Sequence, residues 1–550
     1  MIRRLVACGV LLTACVPPTE PAPPDEDPTP APEVEGGGLA VGPVIDCVAS
    51  DLAFAALTEE AADRGLDAVT LDSPAPVLSS RLLLHDLDLD GDLDVVFGSW
   101  AEAPQVFEND GTGHFTRADT GMAPPVQSLQ SLAAADLDGD GLPELVGNAT
   151  GWVAAMVNLG GQRFASATSL YEVLGLGTTH IGPIAIGDVD ADGDLDIATS
   201  SPDPAAVATG DPETGQHDLL LLAEPGGHRL AQMWPATGEA KPPSSLPFLI
   251  DRERDGDLDL LVAGLRLGPD SAPARYLRND GPGASGPDFV VAEPGAGLVG
   301  NLAAMGLDSA DLDGDGYPEL CVADAAAVRC LSGGADGWID STAQFGLAPP
   351  SQDPTWAGWG LELQDLDNDG LLDMAVVGDN DPALGDPGQG LDRIWRGQVA
   401  GRFDPQTGAG LDGASAHYGL AAGDVNGDGA LDLVAIGDED VELWMNVCTV
   451  GDWVDVDLVG PPGNSEAFGA WVEVQAGGRT QGRTLHAVRG SGQGPSRVHV
   501  GLGDDPIESV RVVWPDGRQT LVRQLPSRAR LLVSHPDASG ALVAALADTL

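Results

Sequence analysis

Seven times along this 550-residue chain, an acidic loop of nine residues runs straight into a short apolar strand. The copies read DLDLDGDLD from Asp86, DLDGDGLPE from Asp136, DVDADGDLD from Asp188, DRERDGDLD from Asp251, DLDGDGYPE from Asp311, DLDNDGLLD from Asp365 and DVNGDGALD from Asp424. Oxygen-bearing side chains recur at loop positions 1, 3, 5 and 9, and Gly always stands at position 6. That spacing suits a hard cation surrounded by about six to eight oxygens, with the Gly permitting a sharp turn. Carboxylates crowded this closely repel one another unless a cation neutralises them, so the set is expected to hold up to seven Ca²⁺ ions. An EF-hand would place its Glu at position 12 between helices; here the acid falls at position 9 and β-prone runs follow.

Side-chain ligands are expected from Asp86, Asp88, Asp90 and Asp94 in loop 1, and from Asp136, Asp138, Asp140 and Glu144 in loop 2. Loops 3 and 4 offer Asp188, Asp190, Asp192 and Asp196, then Asp251, Glu253, Asp255 and Asp259. Loops 5 to 7 offer Asp311, Asp313, Asp315 and Glu319; Asp365, Asp367, Asp369 and Asp373; and Asp424, Asn426, Asp428 and Asp432. The position-7 backbone carbonyl adds Asp92, Leu142, Asp194, Asp257, Tyr317, Leu371 and Ala430. Loop 4 is the odd copy, because Glu253 is longer than Asp and Arg252 and Arg254 intrude.

Successive loops begin 50 to 63 residues apart, a period that marks an array whose units bury their faces against neighbours. Each unit reads as four short strands: one before the loop (residues 131–135), one directly after it (94–97), and two more around a turn (105–108 and 114–116). Four short strands repeated radially is the β-propeller pattern. Gly 74 and Pro 43, beside 4 Tyr and one Lys, fit such a turn-rich all-β chain.

On these loops, and on VFENDGTGHFTRADTGM at residues 106–122, the units resemble FG-GAP/VCBS repeats, the blades of the integrin α-subunit propeller. The resemblance implies a seven-bladed β-propeller over residues 45–451, with each calcium loop between the first two strands of a blade. It also implies that residues 54–58 complete the last blade as an outer strand beside residues 443–446. Past Cys448, the stretches NSEAFGAWVEVQAGGRTQGR and GSGQGPSRVHVGLGDDPIESVRVVWPDGRQTL resemble an ASPIC/UnbV domain. A small C-terminal β domain is thus expected at 452–536, followed by a tail at 537–550. Ser465 and Glu466 depart from that family's usual pair. Together the two parts resemble a cartilage acidic protein-like bacterial lipoprotein.

Residues 1–14 read as a signal, with Arg3 and Arg4 ahead of a short apolar stretch. LTAC at residues 12–15 resembles a lipobox, which implies cleavage before Cys15, lipidation of that residue and export to the outer membrane or cell surface. Residues 15–44 are rich in Pro and acid and are expected to be an extended tether. Cys47, Cys321, Cys330 and Cys448 remain, an even number that suggests disulfides and leaves three pairings open. Cys321 and Cys330 flank hairpin sequence and are expected to cross-link neighbouring strands, with Cys47 and Cys448 bracketing the array.

The net charge of -59 argues against nucleic acid or anionic lipid surfaces as partners. Residues 452–536 carry 9 Arg against 9 Asp plus Glu, so the acidity belongs to the array and tether. No HExxH, GxSxG or GxxxxGK[ST] motif is present. The expected function is a non-enzymatic, calcium-binding, surface-anchored binding or adhesion protein, monomeric and directed at a protein or glycan ligand. The alternatives are a calcium-dependent propeller enzyme acting on polysaccharide and a purely structural envelope protein.

Overall fold

Apolar runs of four to nine residues, each stopped by an acidic or Gly-rich turn, are too short for helices and long enough for strands. The computed structural model describes residues 32–45, 56–71, 81–99, 102–122, 131–149, 152–165, 168–172, 182–200, 218–225, 227–234, 244–264, 274–283, 286–291, 302, 304–324, 327–347, 356–380, 392–411, 415–437, 440–448, 451–490 and 492–550. Nearly all of the regular structure is β.

Among the described residues, strands 3 to 30 in chain order fall into seven four-stranded antiparallel units. Unit 1 is made by Leu82–His85, Asp94–Phe97, Gln105–Asn109 and Phe115–Arg117. The first strands of units 2 to 7 are Leu132–Ala135, Ile184–Gly187, Ser244–Ile250, Gly306–Ala310, Trp356–Gln364 and His417–Gly423. These first strands are almost wholly buried and pack on one another in sequence order, and that of unit 7 packs back on that of unit 1. The array therefore closes as a ring, the propeller architecture. Unit 7 takes its fourth strand from the other end of the chain: Thr58 and Glu59 pair with Met445 and Trp444. The outer strand thus lies slightly beyond the expected residues 54–58, of which 54 and 55 lie outside the described residues.

Cys321 and Cys330 face each other across a hairpin and form a disulfide, with Cα atoms 4.1 Å apart. Cys448 is also disulfide-bonded. Its partner lies outside the described residues, as do Cys47 and Cys15.

The C-terminal domain combines one sheet built from Asp452–Val459, Arg497–Gly503 and Ala529–Ser534 with a second from Trp471–Ala476, Arg479–Thr484, Ile507–Val513 and Gln519–Arg523. Its apolar residues and those of units 2 and 3 form one continuous core, in which Val454, Val472, Val500 and Val510 join Val146, Ile184 and Ile197. One expectation needs correction here. The tether predicted to extend to residue 44 ends earlier: Glu33–Glu35 pairs with Gln519–Arg523, and Gly38–Val41 pairs with Ala529–Ser534. The short apolar segment Leu39–Val41, half-buried on that core, supplies the burial that the Pro-rich part lacks. The tail is also structured, with helix Gly540–Ala547 set so that Leu542 and Thr549 come close to Gly141 and Gly91 of two acidic loops.

Residues 485–490 and 492–496 run from the C-terminal domain against the first strands of the ring. Gln493 extends the first strand of unit 1: its N–H donates to Leu82 O (3.0 Å) and its carbonyl accepts from the Leu84 N–H (2.9 Å). Its side chain accepts from Ala134 N–H at 2.8 Å and donates to Ala134 O at 3.2 Å. Arg489 reaches Glu362 of unit 6 at 2.8 Å, and His486 meets Ser309 of unit 5 at 2.7 Å. The glycines of this segment permit the close approach, since a Cβ on Gly492 would lie 2.1 Å from Leu420 O. Replacing Gln493 with Ala would leave two buried backbone groups of Ala134 unpaired, at a cost of about 1–3 kcal/mol. A calorimetric melt of Gln493→Ala is expected to show ring and C-terminal domain lowered together. An unchanged ring transition would show that the two parts fold separately.

Candidate metal centres and the covered face of the ring

Each acidic loop connects the first and second strands of its unit and is built by hydrogen bonds to its own carboxylates. In all seven, the position-1 Asp accepts the N–H of the position-6 Gly, at 2.7–3.1 Å. Those glycines sit at φ between 84° and 100°, which explains why no other residue occurs there. The position-5 Asp accepts the N–H of position 7, at 2.9–3.1 Å. Position 4 is left-handed too, although Leu89, Ala191, Arg254 and Asn368 occupy it in four loops. The sequence hinted at this only through Gly139, Gly314 and Gly427 in the others.

The position-9 acid is more deeply tied than its expected ligand role requires. Asp94 accepts from Leu87 N–H (3.1 Å) with one oxygen and from Asn109 N–H (3.0 Å) with the other. Asp373 and Asp432 repeat the arrangement with Leu366 and Gly397, and with Val425 and Asn446. The Asn partners went unnoticed in the sequence. Asn109 Nδ2 donates to Leu93 O of its own loop and to Val425 O of loop 7 at 2.8 Å. Asn158, Asn279 and Asn446 likewise bridge to Leu87, Val189 and Leu366 of the preceding unit's loop, each at 2.8 Å. A buried Asn recurring 14 to 20 residues after position 9 was the available signal.

The oxygens converge as a cation would require. Ligand atoms of Asp86, Asp88 and Asp90; of Asp136, Asp138 and Glu144; of Asp188, Asp190 and Asp196; and of Asp311, Asp313 and Asp315 each lie within 4.8 Å of one another. Asp88 Oδ1, Asp190 Oδ1 and Glu319 Oε1 are buried without a hydrogen-bond partner. Burial pushes the carboxyls of Asp86 and Asp188 up to about 7, and those of Asp94 and Asp196 up to about 8, with neighbouring loop carboxylates adding to the rise. An all-oxygen donor set with orphaned buried acceptors fits Ca²⁺. Loop 6 fits differently: Arg396 donates to Asp367 at 2.7 Å and Asp369 at 2.8 Å, so a guanidinium already supplies the counter-charge. In loop 4, Glu253 turns to Arg252 (3.1 Å), while Arg254 lies over the Trp471 ring at 3.9 Å.

The C-terminal domain lies over this face and touches all seven loops. Arg530 donates to Gly91 O (3.0 Å), and Ser465 and Glu466 bind Asp136 at 2.9 and 2.7 Å. Gly463 is set against loop 3, since a Cβ there would lie 2.4 Å from Asp194 Oδ1, and Trp471 covers loop 4. Gly482 accepts from Asp311 N–H (3.1 Å), His499 Nε2 meets Asn368 Oδ1 (2.7 Å), and Trp453 packs on Gly429. Ser465 and Glu466, the pair that departs from the family pattern, are thus the pair in contact with loop 2. His85 is buried beneath this domain near Ser496, whereas His180 lies outside the described residues.

Architecture and loops together define a repeat propeller with an appended β domain. FG-GAP-like repeats match residues 86–147, 138–199, 251–322, 311–376 and 365–435, more than half of the chain, and ASPIC and UnbV matches residues 460–540. The chain belongs to the FG-GAP-like repeat family and carries an ASPIC/UnbV domain. No curated protein matches it. Similar solved structures include an Agrocybe aegerita lectin recognising non-reducing terminal N-acetylglucosamine (18% identity, TM-score 0.40), covering 72% of this chain and 92% of that one. Sqt1 of Saccharomyces cerevisiae is another (12% identity, TM-score 0.38), covering 68% and 97%.

The raised carboxyls set a pH dependence. A folded-state pKa above the unfolded 3.8 means the metal-free native loop holds extra protons, so its stabilising effect is full below about pH 3.8 and is lost as pH rises towards about 8. In chelator, melting temperature is expected to fall between pH 5 and about 8, and saturating Ca²⁺ is expected to abolish the fall. Separately, Arg396→Met should raise the Ca²⁺ bound per chain by one, read by metal analysis after dialysis.

Proposed function

We propose that this protein is an exported, calcium-stabilised binding module without catalytic activity, tethered at its N-terminus and directed at a protein or glycan. The observation that carries the reading is the contact that the C-terminal domain makes with every acidic loop. Calcium held there stiffens the ring and locks the two domains together. Binding then belongs to the opposite face or the outer rim. Both matched families are generally non-catalytic, in keeping with this reading. Extracellular calcium modules bind at about 10⁻⁴–10⁻³ M, so such loops would fill outside a cell and empty within it. A charge of -59 favours neutral or basic partners.

The test is a glycan and surface-protein array probed with the full chain in Ca²⁺ and again in EDTA. Saturable binding that weakens in EDTA, without turnover of the bound glycan, supports the module. Cleavage of a polysaccharide would move the reading to an enzyme, and no binding at all would favour a structural envelope role.

A further inference from the structure

At the strand ends remote from the acidic loops, units 6 and 7 bring together a histidine and three carboxylates that the calcium chemistry leaves unused. His417 opens the first strand of unit 7, at the opposite end of that strand from Gly423 and loop 7. Its side chain is fully buried, and the ring is held edge-to-face against Trp444 at 5.5 Å. Nδ1 lies 2.7 Å from Asp392 Oδ2 of unit 6, and Asp392 is itself fixed by the Gly378 N–H at 3.0 Å. A carboxylate accepting from Nδ1 leaves Nε2 with its lone pair outward, the arrangement that orients metal-binding imidazoles.

Nε2 has no hydrogen-bond partner. It points between Asp440 Oδ1 at 3.6 Å and Glu442 Oε1 at 4.0 Å, both too long for a hydrogen bond. Three donors around a tetrahedral ion with bonds of about 2.0–2.1 Å stand about 3.3 Å apart, so the gaps from Nε2 to Asp440 and Glu442 need to close by about 0.3 and about 0.7 Å. Ser415 Oγ holds the other oxygen of Asp440 at 2.6 Å. Asp440 and Glu442 also line a cavity of about 360 Å³ with Glu59 and Asp67.

We propose that His417 Nε2, Asp440 and Glu442 form a site for a first-row divalent transition ion of the zinc class, with Asp392 as the residue that positions the imidazole. An imidazole nitrogen in the donor set selects against Ca²⁺, which takes oxygen alone. The site joins units 6 and 7 at the ring's closure, beside the strand Thr58–Glu59 that completes unit 7. It is chemically and spatially separate from the acidic loops. The competing arrangement is a buried imidazolium: burial works against it, but the Asp392 hydrogen bond and the neighbouring carboxylates hold the pKa of His417 above its ordinary value.

The probe is Co²⁺ alone, titrated into the full chain in excess Ca²⁺ so that the oxygen-only loops are filled. One Co²⁺ per chain with an intense visible d–d band is expected, and Zn²⁺ should displace it. Glu442→Gln and His417→Gln should abolish the band. Asp392→Asn should weaken Co²⁺ binding by about 10–100-fold while leaving the band's shape. Asp88→Asn, in loop 1, should leave it untouched. Near-UV circular dichroism in Ca²⁺ confirms the fold of each variant, and Glu442→Gln, at a partly exposed position, keeps the test open if His417→Gln fails to fold. Absence of the band in the wild-type chain, or a band that survives in Glu442→Gln, would overturn the proposal.

Discussion

Crowded carboxylates are the constraint around which this molecule is organised. Each loop gathers several acids into a space that burial makes hostile to negative charge, and their proton affinities rise accordingly. The loop answers with its own backbone, as position 1 takes the Gly N–H, position 5 takes the N–H of position 7, and position 9 takes two more. What the backbone leaves unsatisfied, such as Asp88 Oδ1 and Asp190 Oδ1, defines the demand for a cation. Loop 6 meets the same demand with Arg396, so one arrangement of acids is served in two ways within a single ring.

From that constraint follows the coupling between units. In units 1, 2, 4 and 7 the Asn that seals the back of one loop donates its second N–H to the carbonyl of the loop before it, so those pairs of loops are mechanically linked. Between units 1 and 7 the same contact, Asn109 to Val425, helps to close the ring. The C-terminal domain adds a lid whose residues touch every loop and a segment that runs against the first strands of the ring, where Arg489 is matched by Glu362 and Asp308.

The repeat, the strand after each loop and the β domain beyond Cys448 were legible because each leaves a local mark: fixed acid spacing, period-2 runs, and the glycines of GSGQG. What stayed hidden depends on distant pairing. Nothing near Asp367 announces Arg396, which lies in another strand of the same unit. Residues 33–41 look like linker because the sequence just ahead of them is rich in Pro and acid, yet Leu39 and Val41 pack on a core built more than 400 residues later. Ser465 and Glu466 read only as a departure from pattern until Asp136 is placed beside them. His417 is a single histidine without a sequence motif; its partners come from three separate strands and turns.

Pinning residues 33–41 to the C-terminal domain also gives the molecule a polarity. A pull applied at residue 33 therefore loads the C-terminal domain first and the ring only through it. An object held there would turn its lidded side towards its support. The opposite side, with His417 and the unit 6–7 seam, would face outward into the medium.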